Sequence, residues 1–241
     1  MAIRLNGSSE GVLFGDTDFD YRSITLCGFF KIASHISYRT IFGMGGAILS
    51  EGTNILSRSD GYGITGICVP TSSFAIASSI TSTSYVFIGL TYNNGDISKL
   101  YVGDYVFSSA AINENLITQV KKLGFGLVEN SSYPQYTNYA DVEGYDLRVY
   151  SRAITALEVD DIKSQNGYDT VTTDLVGRWL MDEKSAGELC TEDNSILDIS
   201  GRNIHGSPVG TPVYVDNPVG YYTDTPTPEV PRRRFFRSIN N

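Results

Sequence analysis

Apolar segments recur about every ten residues along this chain, separated by clusters of Gly, Ser, Asn and Asp. That rhythm matches short strands joined by turns and predicts a sandwich or barrel. The pattern places strands at Ala2–Leu5, Gly11–Leu13, Ser23–Ile32, Arg39–Phe42, Ala47–Leu49, Tyr62–Val69, Ser73–Ile80, Tyr85–Tyr92, Lys99–Val102, Tyr105–Phe107, Lys122–Leu127 and Val142–Tyr150. Asn93-Asn94-Gly95-Asp96 signals a hairpin, because Asn and Gly accept the positive φ of tight turns, and Gly103-Asp104 signals a second. The 16 Tyr and 11 Phe, against 3 Met, fit the same picture, since aromatic side chains suit pleated, half-buried surfaces.

One helix interrupts the strands. Thr155-Ala156-Leu157-Glu158 is a capping box, in which Thr155 caps and Glu158 reaches back. Val159 and Ile162 follow at helical spacing, and Asn166-Gly167 supplies the stop. A helix this short is expected to close an end of the sandwich rather than to form a second layer. Beyond it, Asp174–Asp182 holds the only Trp and reads as a strand with Leu175, Trp179 and Met181 on one face.

A chain of 241 residues is long enough to bury a jelly-roll-sized core. Its net charge of −9 makes it a poor general binder of nucleic acid or anionic membrane. The two His, His35 and His205, have no metal-ligand spacing. Three Cys without a CxxC argue against a disulfide framework, and Cys27 and Cys68 read as small core residues. No apolar run reaches the roughly 18 residues of a membrane span. Met1–Leu5 has neither the charged nor the apolar stretch of a secretory signal, so synthesis and folding in a cytoplasm are expected.

The run from Gly144 to Val159, with Leu147-Arg148-Val149-Tyr150-Ser151-Arg152-Ala153-Ile154-Thr155 at its centre, resembles a signature of laminin-G-like, concanavalin A-like domains. Ala2–Leu13, Ile24–Lys31 and Tyr85–Val102 resemble the earlier strands of that family, in the right order. Leu175–Glu183 and Asp198–Gly206 resemble a segment that in many such domains precedes the first strand, whereas here it follows the helix. That placement suggests a permuted edge, paired beside the first strand, rather than an unfinished second domain. The resemblance implies an all-β, concanavalin A-like jelly-roll sandwich of two antiparallel sheets with one short helix. It would occupy residues 1–220, with 175–220 as the closing segment.

The family hosts glucanases, lectins, receptor modules and structural proteins, so function has to come from sites. A glucanase of this shape carries an E-x-D-x-x-E arrangement on one strand. Glu143-x-x-Asp146 and Asp182-Glu183 do not match it, and Glu143 and Asp146 read as rim residues of an exposed strand. Asp198-Ile199-Ser200-Gly201-Arg202-Asn203 alternates oxygen side chains around Gly, so Asp198 and Asn203 are candidate ligands for a structural Ca²⁺, with Asp182 as a further ligand if the strands meet. The competing reading is an Asx turn, with Asp198 bonded to its own backbone. His205 reads as a turn residue. Tyr133, Tyr136 and Tyr139 lie in a polar loop and suit stacking on sugars or a protein contact, two readings that stay open.

The last residues change character. Residues 221–241 form a Pro-rich linker ending in Arg232, Arg233, Arg234, Phe235, Phe236 and Arg237. Four Arg against Asp224 and Glu229 make this tail +2, leaving −11 on the body. Arg and Phe are favoured at interfaces, so the tail reads as a docking element. Together these features suggest a non-enzymatic virion protein of a tailed bacteriophage, a capsid decoration or a tail or fibre component. It would be made in the host cytoplasm, dock on virion proteins and display its jelly roll outward, with a homotrimer left open. The alternative is a carbohydrate-binding adhesin for host surface glycans, with or without calcium. Neither reading requires a cofactor, a nucleic acid or membrane insertion.

Overall fold

Strands and tight turns alternate along the chain much as the apolar rhythm predicts. The computed structural model describes residues 1–17, 22–34, 39–44, 53–57, 63–68, 72–75, 84–112, 121–129, 136–165 and 169–217. In chain order the first strands are β1 (Ala2–Asn6), β2 (Gly11–Thr17), β3 (Ser23–Ile32), β4 (Arg39–Met44), β5 (Thr53–Ser57), β6 (Ile64–Cys68) and β7 (Ser72–Ala75). Then come β8 (Val86–Asn93), β9 (Asp96–Val102), β10 (Tyr105–Ile112), β11 (Lys121–Phe125), β12 (Val128–Glu129), β13 (Tyr136–Thr137) and β14 (Asp141–Tyr150). The helix α1 (Ala156–Gln165) precedes β15 (Leu175–Trp179), β16 (Gly206–Val209) and β17 (Val213–Val215). Both signalled hairpins form, with Asn94-Gly95 joining β8 to β9 and Gly103-Asp104 joining β9 to β10. The expected strand Ala47–Leu49 lies outside the described residues, and β5, β12, β13, β16 and β17 were not foreseen.

Two antiparallel sheets form the sandwich. The eight-stranded sheet runs β10-β9-β8-β3-β14-β1-β17, with β15 also paired to β14, and the seven-stranded sheet runs β16-β2-β11-β4-β5-β6-β7. Their inner faces meet through aromatic rings. Phe30 of β3 packs on Phe42 and Phe125, at 6.3 and 6.1 Å between centroids. Trp179 is fully buried, lies 4.0 Å from the Phe14 ring and donates its indole N–H to the Ile204 carbonyl. Aromatic pairs of this kind add to what their buried area alone contributes. Cys27 and Cys190 are buried free thiols, and burial pushes the Cys27 thiol up to about 12.

The segment after the helix joins both sheets. β17 pairs with β1, with Ile3 opposite Tyr214, and β16 pairs with β2. Strand β14 has β3 along one side, while its other side is shared end to end by two strands. β1 pairs with Asp141–Gly144, and β15 pairs with Leu147–Tyr150. Between them the register slips: Tyr145 faces Phe29 but Arg148 faces Cys27, so β14 carries one extra residue. Such a bulge bends the strand and re-aims side chains. Asp146 sits in it with φ +48°, left-handed backbone that Asp tolerates better than most residues.

The bulge places Asp146 beside Arg148, and this corrects the expected exposed rim. Both side chains are fully buried. The Arg148 Nε donates to both Asp146 oxygens at 3.1 Å, and its two terminal nitrogens donate to Asp169 at 2.8 and 2.6 Å. Arg178 of β15 donates to Asp146 at 2.8 Å. Two arginines and two aspartates therefore form a neutral buried set. Burial pushes the Asp169 carboxyl up, but its bonds to Arg148 more than offset this and hold it below the ordinary Asp value.

The capping box forms as expected. The Glu158 carboxylate accepts the Thr155 N–H at 2.7 Å, and the Thr155 hydroxyl accepts the Glu158 N–H at 3.3 Å. Arg152 forks onto the same carboxylate and holds it down to about 2. Val159 and Ile162 are the buried face of α1, and Lys163 reaches Asp104 in the β9–β10 turn.

Three outcomes follow from these ion pairs. Arg148→Ala strands buried carboxylates and should lower unfolding free energy by about 3–5 kcal/mol, read by urea denaturation. Lys163→Ala, whose partner Asp104 is exposed, should cost less than about 1 kcal/mol. For Glu158 the folded pKa lies below the unfolded one, so its contribution is full above about pH 4.5 and fades as pH falls towards about 2. Melting temperature against pH should therefore fall less steeply over that window in Glu158→Gln than in the parent.

Candidate functional site

The docking tail Arg232–Arg237, Tyr133, His35 and the Asn166-Gly167 stop lie outside the described residues. Tyr136 opens β13, and Tyr139 is half-buried and engaged by another group. The stretch carrying them is tied to the seven-stranded sheet by backbone bonds. The Asn138 carbonyl accepts the Thr40 N–H at 3.1 Å, and Gly126 links Ala140 to Ile41.

On that sheet, Phe42, Phe125 and Ile55 point inward, so their neighbours Gly43, Gly124 and Asn54 belong to the outer face. The outer face is packed closely against the bare glycines. A Cβ on Gly124 would fall 2.3 Å from the Leu127 carbonyl oxygen, and one on Gly43 would fall 2.1 Å from the Asn54 side-chain oxygen. Neither contact is possible with a side chain present, so Gly at both positions lets the covering groups lie flat. Asn54 thus lies across β4 from its own strand β5. Its Oδ1 is buried without a hydrogen-bond partner, and so is the Oγ1 of Thr65 on β6. Strand β5 was missed in the sequence. Its signal is a five-residue run, Thr53–Ser57, between the turn clusters Glu51-Gly52 and Ser59-Asp60-Gly61.

The eight-stranded sheet uses its outer face differently. Glu143 is buried, accepts two bonds from Lys31 at 3.0 Å and one from the Tyr85 hydroxyl at 2.8 Å. Behind it, Tyr145 stacks on Phe29 at 5.0 Å, and Tyr85 meets Tyr145 edge-on. Glu143 is therefore not a free rim carboxylate, and Asp146 is closed off from any dissolved substrate. Asp182 and Glu183 line an open cleft of about 620 Å³ with Lys184, Glu188 and Asp216. Burial raises both the Asp182 and the Glu183 carboxyl above the ordinary range. Glu183 is a tie, accepting the Leu197 N–H at 2.8 Å and the Tyr214 hydroxyl at 3.2 Å.

Asp198 is buried, and four donors converge on its carboxylate. One oxygen accepts the Arg178 and Ser200 N–H groups at 3.0 and 2.8 Å. The other accepts the Ser200 hydroxyl and the Ile204 N–H at 2.8 and 3.1 Å. This is an Asx-type turn extended by a strand contact. His205 accepts the Asp198 N–H through Nδ1, and Asn203 is exposed with φ +58°. Glu183, not Asp182, is hydrogen-bonded to this segment. Among the described residues, no group of three or more His, Cys, Asp or Glu is arranged to hold a metal ion.

No protein-family model matches the sequence, and no curated protein matches it. Solved structures do match the fold. A putative carbohydrate binding protein from Bacteroides ovatus superposes over 92% of this chain, with a TM-score of 0.65 and 16% identity. This chain spans 62% of that protein. A heptameric SAP-like pentraxin from Limulus polyphemus matches 69% of this chain and 83% of its own, with a TM-score of 0.55 and 14% identity. Domain 4 of AbnA, a GH43 extracellular arabinanase from Geobacillus stearothermophilus solved with arabinotriose, matches 67% of this chain and 75% of its own, with a TM-score of 0.50 and 18% identity. At these identities the likeness establishes the jelly-roll fold alone.

The Asp198 turn makes a stability prediction. Asp198→Ala leaves backbone donors at Arg178 and Ile204 without their acceptor, at about 1–3 kcal/mol for an unsatisfied buried group. Urea denaturation should show that loss.

Proposed function

We propose that this chain is a non-catalytic carbohydrate-binding domain. The observation that carries the reading is the extent of the likeness to the Bacteroides ovatus protein, which runs over 92% of this chain. An overlap that wide takes in most of the sandwich rather than one motif. The arabinotriose-bearing arabinanase domain, at a TM-score of 0.50, supports the same reading. The carboxylates support it from the other side. Retaining glycoside hydrolysis needs an acid and a nucleophile about 5 Å apart on one accessible face. Here Asp146 is buried among arginines, and Glu143 is bonded to Lys31 and Tyr85. The virion reading rests on the Arg232–Arg237 tail, outside the described residues, and no described feature favours it over glycan binding.

Affinity electrophoresis through gels containing arabinan, xylan, mannan, β-glucan or bacterial surface polysaccharide tests the proposal. The expected result is retardation by at least one of them without release of reducing sugar. Free migration through all of them would overturn the binding function, and release of reducing sugar would overturn its non-catalytic character.

A further inference from the structure

We propose that the acidic cleft beside β17 is the docking site of this chain's own basic tail, Arg232–Arg237. The inference stands apart from the carbohydrate-binding reading. The cleft, about 620 Å³, has Asp182, Glu183, Glu188 and Asp216 in its lining. That size lies within the roughly 300–1,000 Å³ of ligand-binding clefts. Two of the four carboxylates are engaged by neutral donors. Glu183 holds the Leu197 N–H and the Tyr214 hydroxyl, and Glu188 accepts the Ser185 N–H at 2.7 Å. Among the described residues, neither Asp182 nor Asp216 forms a salt bridge. The cations of the lining do not answer them. Lys184 is turned to the Leu189 carbonyl at 3.3 Å and to Glu192 at 3.7 Å, and burial disfavours charge on the Met1 amino group. Burial also raises the Asp182 carboxyl, and a guanidinium brought beside it would reverse that.

An apolar rim borders these carboxylates. Leu189 follows Glu188 in the chain, and Leu197 is the residue whose N–H meets Glu183. Both are about half exposed, as is Ile199 beside them in sequence. These are three of the seven large apolar side chains that the described residues leave exposed, so the rim is a concentration and not a scatter. The surface therefore suits a ligand that carries cations and large apolar groups in succession. The tail, outside the described residues, has that order: Arg232-Arg233-Arg234-Phe235-Phe236-Arg237. Guanidinium forks pair with carboxylates through two parallel bonds, and Phe rings bury large apolar areas. The tether selects this tail over any free basic peptide. Asp216 lines the cleft, and only residues 218–231 separate Asn217 from Arg232. A linker of that length spans about 20 Å when flexible and about 43 Å when stretched, enough to return to a cleft at its own root. Tethering gives an effective concentration of about 1 mM, so even a Kd of about 0.1 mM would keep the tail docked most of the time.

Limited trypsin digestion of the full chain tests the proposal, because trypsin cuts only after arginines and lysines that it can reach. Tail cleavage is followed by mass spectrometry in the parent, in the double variant Asp182→Asn, Asp216→Asn and in a free peptide of residues 231–241. The double variant keeps the tether and removes two cleft charges. The expected result is tail cleavage at least tenfold slower in the parent than in the double variant, which is cut at the free peptide's rate. In 1 M salt, where the screening length is about 3 Å, the parent's protection relative to the peptide should disappear. If the double variant does not fold, Asp216→Lys, a change at an exposed position, decides alone. Equal cleavage rates in the parent and a folded variant would overturn the docking. Protection that rises with protein concentration would place the tail in a second copy's cleft and overturn docking within one chain.

Discussion

The paired arginines and aspartates under the β14 bulge are what the closure of this sandwich depends on. Strand β14 must offer one edge to two partners, β1 and β15, that arrive from opposite ends of the chain. The extra residue at Asp146 makes the break between them, and Arg148 fills it. Arg148 then reaches Asp169 in the connection from α1, while Arg178 ties β15 to the Asp146 carboxylate. Buried ion pairs are not a cheap source of stability, because desolvation cancels much of their attraction. Their value here is in specification. Only one register of β15 against β14 brings Arg178 to Asp146, so a slipped closing segment would leave a buried charge alone.

That arrangement divides the work between the two sheets. The outer face of the eight-stranded sheet is taken up by internal chemistry: the ion set, the Glu143–Lys31–Tyr85 contact and the aromatic stack of Phe29 and Tyr145. Its polar groups there are matched to one another. The outer face of the seven-stranded sheet holds the opposite condition at β5 and β6, where Asn54 and Thr65 keep polar atoms without partners. Local imbalance of this kind weakens a fold and is common where a protein binds something. A body locked by one sheet can carry such a defect on the other.

Much of this was legible in the sequence, and the failures have physical causes. The Gly144–Val159 run predicts a strand, a capped helix and their order, because local hydrogen bonding governs each: Glu158 and Thr155 close the box whatever surrounds them. The β8–β9 and β9–β10 hairpins follow from Asn94-Gly95 and Gly103-Asp104 for the same reason. What escaped depends on distant partners. Glu143 and Asp146 look like surface acids until the bulge and the α1–β15 connection bring Lys31, Arg148 and Arg178 to them. Met181, expected to continue the face of Trp179, instead turns out of the strand with φ +64°. β16 contains Pro208, which argues against a central strand and is tolerated because β16 is an edge. Asp198 carries the composition of a cation loop, and only the geometry reveals how many backbone donors already meet its oxygens. Least legible were the unpaired atoms of Asn54 and Thr65, ordinary strand residues whose lack of partners emerges only from packing.

Hydrogen exchange of the protein with and without a bound polysaccharide tests the central claim most directly. The account predicts that amides of β14 and β15 exchange only through global unfolding in both states. Exchange of β14 or β15 amides at a free energy well below that of global unfolding, in either state, would contradict it.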